Sequence, residues 1–250
     1  MPGAAPSFQG KTALVTGAAK RIGAAVALAI ADEGASVVVH YGTSREEAEA
    51  TAAEIRRRGV AAWTLQADLG NGDEAEALFP RALEAAGPID FLINAAAIFP
   101  KSRLTDFTAE DLATSVQINA MAPLRLARAF AAQRRPGAIV NFLDTRYVDY
   151  DAEHAAYHLS KRMLFTLTRM MALEFAPAVR VNAVAPGLIL PPPGGDESYL
   201  QHLAHTNPLQ RVGTVEGVAD AVLFLLRSDF VTGQVLFVDG GRHMRGAVYG

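Results

Sequence analysis

Short β-branched runs bounded by Gly, Pro or Asp alternate along the chain with longer, Ala-rich amphipathic stretches. Short apolar runs fit strands buried on both faces, and the longer apolar period fits helices with one buried stripe. The pattern predicts seven strands, at Thr12 to Thr16, Ser36 to His40, Ala61 to Gln66, Phe91 to Asn94, Ala138 to Phe142, Arg180 to Val184 and Val235 to Val238. Helices fill the intervals, at Ile22 to Glu33, Glu46 to Arg58, Glu74 to Ala86, Ala109 to Ala132, Ala152 to Phe175 and Val215 to Arg227. Such repeated βα units predict a Rossmann-like, doubly wound α/β fold, with a parallel seven-stranded sheet and helices on both faces. The loop Pro191-Pro192-Pro193-Gly194-Gly195 can be neither helix nor central strand. It follows a strand that should end at the carboxyl edge of the sheet, so it reads either as a lid over a site or as a plain surface connection.

Composition narrows the picture. Half of the 250 residues are apolar, enough for one large core, and residues 1–250 read as a single domain. A net charge of -3 gives no electrostatic footprint for nucleic acid or an acidic membrane, which leaves a small-molecule partner. The absence of cysteine excludes disulfides, thiolate metal sites and a cysteine nucleophile, and no metal site is expected. Met1 to Gly10 has neither a basic nor an apolar region of a signal peptide, and no apolar run reaches the length of about 18 needed to span a bilayer. A soluble cytoplasmic protein is the expectation.

The first predicted strand runs straight into Thr16-Gly17-Ala18-Ala19-Lys20-Arg21-Ile22-Gly23 and then into a helix. A strand, tight turn and helix N-terminus present backbone N–H groups and a positive dipole end to a phosphate. Arg21 stands where a third glycine would be expected. An NAD site usually ends its second strand in Asp or Glu, whereas this strand ends in Val39-His40-Tyr41-Gly42-Thr43-Ser44-Arg45. Arg21, His40, Thr43, Ser44 and Arg45 together suit a 2'-phosphate, so NADP(H) is the expected cofactor. Arg45 reads equally well as a solvated residue opening a helix. Asp68, followed by Leu69, is placed to bond an adenine amino group or to cap the next segment.

Tyr157 and Lys161 lie one helical turn apart, and Asp144 stands thirteen positions before the tyrosine. A phenol beside an ammonium on one helix face is a tunable proton donor. These residues, with Thr16-Gly17, Gly23, Asn94-Ala95-Ala96, Asn119 and Pro186-Gly187, resemble a short-chain dehydrogenase/reductase over essentially the whole chain. The resemblance implies that Tyr157 donates the proton, that Lys161 binds the nicotinamide ribose and lowers the tyrosine pKa, and that Asn119 supports a water-linked proton relay. It also places Asn94, Ala95, Ala96, Pro186, Gly187 and Leu188 at the cofactor. A homotetramer built on the helices Ala109 to Ala132 and Ala152 to Phe175 is implied as well. The plainer readings make Lys161 a solvated helix residue and Asn119 a satisfied core amide.

Within that family, Gly17-Ala18-Ala19-Lys20-Arg21, His40-Tyr41, Asp144 and Asp239-Gly240-Gly241-Arg242-His243 are similar to the pteridine reductases and the dihydromonapterin, or dihydrofolate-type, reductases. That similarity implies an Arg21 that reaches both cofactor phosphate and substrate, and a Phe99 that stacks on the pterin. Phe99 reads otherwise as a loop aromatic packed on the core. The family run Asn-Asn-Ala-Gly or Asn-Asn-Ala-Ser is here Asn94-Ala95-Ala96-Ala97, which lacks a serine hydroxyl that would help hold a pterin. The substrate loop is placed at about 187–212, with Asp196 and Glu197 on it.

Asp144 decides the chemistry. A ketone reductase aims hydrogen-bond donors at an oxygen that becomes an oxyanion, and a carboxylate there would repel it. Reduction of a C=N bond sends hydride to carbon and a proton to nitrogen, so Asp144 can instead accept hydrogen bonds from ring N–H or amino groups and orient Tyr157. The alternative is that Asp144 only caps a turn or pairs with Arg146. The expectation is an NADPH-dependent reductase of a dihydropterin or oxidised pterin, its substrate bound by Arg21, Phe99, Asp144 and Tyr157 and its proton supplied by Tyr157, Asp144 or a water held by them. A carbonyl reductase of the same family, acting on a ketone, acyl-carrier or sugar substrate, is the alternative, followed by a non-catalytic NADP-binding sensor.

Overall fold

The computed structural model describes residues 8–148, 151–191 and 194–245. Seven strands form one sheet: β1 (Thr12–Thr16), β2 (Ser36–Tyr41), β3 (Ala62–Gln66), β4 (Phe91–Asn94), β5 (Gly137–Phe142), β6 (Val179–Pro186) and β7 (Val235–Val238). All neighbours are parallel, in the order β3-β2-β1-β4-β5-β6-β7. The order reverses direction between β1 and β4, which opens a crevice at their carboxyl ends.

Strand alternation sends Ala13, Val15, Val37 and Val39 to one face and Leu14 and Val38 to the other. The first face packs under α1 (Arg21–Asp32), α2 (Arg45–Arg57) and α8 (Val215–Arg227), with Ile30, Ile55 and Val222 fully buried. Beneath the second lie α3 (Gly72–Ala86), α5 (Ala122–Ala131) and α6 (Ala155–Glu174), where Phe79 and Phe130 meet edge to face at 5.9 Å. Each such side chain withdrawn from water contributes roughly 1.5 to 3 kcal/mol. This covering of both faces is why the strands are almost continuously apolar.

Most boundaries shift by a residue or two from the sequence expectation, and the larger differences have physical reasons. The expected single helix from Ala109 to Ala132 is α4 (Ala109–Val116), a π turn (Gln117–Met121) and α5. Pro123 lacks the N–H that would bond the carbonyl of Asn119 in a continuous helix, so the turn widens there. Helix α6 begins at Ala155 rather than Ala152, because the preceding residues pair with Ser102 in a bridge. β6 runs on to Pro186, since Gly187 N–H still bonds Val238 O. An unpredicted short helix, α7 (Glu197–Leu203), starts at Asp196, whose carboxylate accepts the N–H groups of Ser198 and Tyr199. Pro192 and Pro193 of the proline-rich loop, and Met1 to Ser7 of the N-terminal segment, lie outside the described residues. No helix among the described residues is long and apolar enough to cross a membrane.

Candidate active site

The turn after β1 is shaped by two close approaches. Gly17 has φ +64°, and a Cβ there would sit 2.9 Å from Ala96 Cα. A Cβ on Gly23 would lie 2.2 Å from Gly17 O, so only glycine lets α1 come this near the strand. Arg21 adopts φ +58° despite its side chain, a conformation that costs about 1 to 2 kcal/mol. Its guanidinium donates to Pro191 O at 2.6 Å, joining the turn to the segment after β6.

A cleft of ≈ 490 Å³ opens above this turn. Gly17, Lys20, Arg21, Ile22 and Gly23 form its floor, His40, Tyr41, Thr43 and Ser44 one wall, and Asp68, Leu69, Ala95 and Ala96 the other. Helix α1 has no side-chain cap and no acidic residue in its first turn, whereas α2 carries acidic residues there and α3 and α4 carry both. Its free N–H groups and dipole therefore suit a pyrophosphate. The chain also lines the cleft with Gly42, Ala97, Ile98, Ile118 and Phe142, none of which carries a polar side chain that would mark it in the sequence.

Some expected cofactor residues do other work. His40 is 2% exposed; Gly17 N–H donates to its Nδ1 at 3.1 Å, and its Nε2 faces Ala67 O at 3.1 Å. Those partners require a neutral ring with the proton on Nε2. Burial lowers its pKa to about 4, helped by the charge of Arg81 and opposed by the bond to Ala67. His40 is thus a strut joining the glycine turn to the segment after β3, with both ring nitrogens engaged by the protein instead of by a 2'-phosphate. Arg45 is exposed at the start of α2 and outside the cleft; Lys20 and Arg21 are the cations that line it. Asn94 is buried and bonds Asn141, which continues to Thr168, so its side chain braces the sheet instead of lining the cleft. Asp68 Oδ1 accepts Gly70 N–H at 2.8 Å while the residue still lines the cleft, which combines its two expected roles. Pro186, Gly187 and Leu188 also stand outside the cleft lining; Gly187 is held against Asp239 so closely that a Cβ would lie 2.6 Å from Asp239 Cβ.

The buried His40 makes a stability prediction. The folded ring resists protonation down to pH of about 4, while the unfolded one takes a proton near 6.5, so stability is full above 6.5 and lost as pH falls between those values. The loss amounts to about 3 kcal/mol. Thermal melting at pH 7 and at acid pH is expected to show a larger drop for the wild type than for His40→Gln, and equal drops contradict it.

Tyr157 and Asp144 meet as the spacing suggested: Tyr157 Oη donates to Asp144 Oδ2 at 3.0 Å. Asp144 Oδ1 accepts Arg146 N–H at 2.8 Å, so the carboxylate also caps the 3-10 turn Thr145–Tyr147. Tyr157 is 6% exposed, and burial followed by the Asp144 charge raises its phenol well above the usual range. Those two causes are the largest, and Lys161 makes contacts of its own beside the ring. Lys161 Nζ donates to Phe142 O at 2.7 Å and lies 5.7 Å from the tyrosine ring centroid. Lys161 is 2% exposed, which removes the solvated-helix reading, and burial lowers its pKa to about 8 against the pull of Asp144. Asn119, in the π turn, donates to Ile98 O and Ser160 Oγ and accepts Ile98 N–H, so its side chain is fully partnered within the protein.

Phe99 is half exposed and meets Tyr157 edge-on at 4.5 Å, with its own face stacked on His154 at 3.8 Å. Two further carboxylates stand beside the site: Asp239, which the sequence reading took only as part of a motif, and Asp151, which it did not single out. Asp239 accepts from Thr145, His243 and Gly241; these bonds outweigh burial, which raises its pKa, and hold it below the usual range. Asp151 accepts from Arg146, His154 and Glu153. Thr145 reaches Asp239 from a distant segment, which spacing does not show; the other partners are local to their loops.

A family model described as enoyl-(acyl carrier protein) reductase matches residues 17–243. Versicolorin reductase stcU of Emericella nidulans is 35% identical over 94% of this chain and 96% of its own length. The 3-oxoacyl-(acyl-carrier-protein) reductase FabG of Staphylococcus epidermidis is 31% identical over 94% of this chain and 99% of its own. Among solved structures, the FolM alternative dihydrofolate reductase 1 of Brucella canis, crystallised with NADP, superposes with a TM-score of 0.88 at 31% identity, covering 94% of this chain and 95% of that one.

Proposed function

Because the chain belongs to the short-chain dehydrogenase/reductase family, we propose that it is an NADPH-dependent reductase of a pterin, reducing a C=N bond of a dihydropterin or an oxidised pterin. The observation that carries this reading is the carboxylate of Asp144, 3.0 Å from the Tyr157 hydroxyl, where carbonyl reduction favours a neutral donor.

NADPH bound in the cleft supplies the hydride. The N-terminus of α1 would hold its pyrophosphate and Lys20 and Arg21 its 2'-phosphate, and the family resemblance assigns the nicotinamide ribose to Lys161. Tyr157 holds the proton for the substrate nitrogen. Its phenol stays protonated at neutral pH because burial and the Asp144 charge disfavour the phenolate. Asp144 takes ring N–H or amino donors of the aminopyrimidine half, which compete with Tyr157 for the same oxygen and loosen the phenolic proton. Asn119 acts as the strut that fixes Ser160 and the turn at Ile98 beneath the site. Phe99 presents an aromatic face to the flat ring and keeps water from the reacting carbon.

Phe99→Ala is expected to raise the KM for 7,8-dihydrobiopterin by roughly tenfold, the worth of one aromatic contact, with little change in NADPH affinity. Initial rates of NADPH oxidation measure it, and an unchanged KM contradicts stacking. A second reading, carbonyl reduction, is favoured by the versicolorin and 3-oxoacyl reductases among the relatives. The same assay with an aromatic ketone separates the two, since consumption with ketones alone defeats the pterin reading.

A further inference from the structure

Asp144 and Phe99 approach Tyr157 from different segments of the chain, and one residue that touches neither is linked to both. Asp151 Oδ2 accepts Arg146 Nη1 at 2.7 Å, and the backbone N–H of that arginine donates to Asp144 Oδ1 at 2.8 Å. Asp151 Oδ1 accepts His154 Nδ1 at 2.8 Å, and the ring of that histidine stacks on Phe99 at 3.8 Å with planes 15° apart. Glu153 N–H closes on the same oxygen at 2.8 Å, and Asp151 N–H donates to His158 Nε2 at 3.2 Å, one residue beyond Tyr157. Charge-assisted bonds of this kind hold their partners in one geometry.

The carboxylate is well suited to the task. Burial opposes its ionisation, but bonds from His154 and Glu153 and the charges of His154 and Arg146 outweigh it and bring its pKa to about 2. Its side chain is 23% exposed, enough shelter for the pairs to resist salt. A loop staple alone would need one anchor on α6, whereas two of these contacts lead to groups that face the tyrosine.

We propose that Asp151 is a positioning residue that sets Asp144 through Arg146 and the Phe99 platform through His154, so that proton chemistry and substrate stacking are aligned by one carboxylate. This rests on the roles given above to Asp144 and Phe99. Displacing a reacting group by about 1 Å can cost 100-fold in rate, so Asp151→Asn should lower kcat by on the order of 10- to 100-fold. It should raise the KM for 7,8-dihydrobiopterin as well, and leave NADPH affinity, read by fluorescence titration, unchanged.

The two arms are separable. Arg146→Met should reproduce the kcat loss, and His154→Ala the KM rise. In an Asp144→Asn background, Asp151→Asn should bring no further loss of kcat, because the group it positions is gone. Additive losses, or NADPH affinity falling in step with kcat, overturn the proposal. A wild type that reduces an aromatic ketone and no pterin defeats only the pterin reading, and the same cycle is then scored on the ketone. A crystal structure of Asp151→Asn gives an answer independent of turnover: Asp144 and Phe99 both displaced around an unmoved glycine turn supports the proposal, and both in place overturns it.

Discussion

Asp144→Asn is expected to lower kcat for a dihydropterin by on the order of 100- to 1,000-fold, the range of a lost acid–base partner. Asparagine keeps an oxygen for Arg146 N–H, so the turn after β5 survives. What it loses is the charge and the acceptor facing Tyr157 Oη, where an amide would present N–H groups instead. The phenol then loses the larger of the two carboxylate charges that raise its pKa, and the aminopyrimidine donors have no carboxylate to meet beside it. Asp144 bonds Tyr157 and the turn after β5 and not the glycine turn, so NADPH affinity, set chiefly at that turn, should hold. Steady-state rates and a fluorescence titration measured together make the comparison, and equal losses in both would remove Asp144 from the chemistry.

Gly23→Ala is expected to abolish measurable NADPH binding, with a loss of stability of roughly 1 to 3 kcal/mol from overpacking. The new Cβ would lie 2.2 Å from Gly17 O, and the atom it meets is backbone in the turn itself. Either α1 moves off β1 or the turn opens, and both remove the N–H groups aimed at the pyrophosphate. Gly42→Ala is the control: it lines the same cleft, but a Cβ there meets nothing within 4 Å. Titration and melting of both variants test this, and a Gly23→Ala protein that binds NADPH like the wild type contradicts the packing argument.

The strands were legible because burial on both faces leaves a short apolar run that little else explains; β1, β4 and β7 stand where the pattern put them. The π turn was not, although Pro123 signalled it, because the apolar period continues across the break. Tyr157, Lys161 and Asp144 came from spacing along one helix and one strand end. A histidine at the end of β2 looks like a phosphate ligand, and its bonds to Gly17 and Ala67, which occupy both ring nitrogens, could not be read from the sequence. Arg21 was placed in the turn correctly, but its bond to Pro191 joins residues far apart in sequence and could not be read from either. Asp239 was read with Gly241 and His243, but its bond to Thr145 and the whole Asp151 cluster were missed, since loop conformation brings those partners in.

The central claim is that a carboxylate beside the tyrosine selects C=N over C=O reduction. Its most direct test is the ratio of kcat/KM for 7,8-dihydrobiopterin to that for an aromatic ketone, measured in the wild type and in Asp144→Ser. The account predicts a ratio that favours the pterin in the wild type and falls by about 100-fold or more in the variant, as a hydroxyl replaces the anion. A wild type that prefers the ketone, or a ratio unmoved by the substitution, would contradict it.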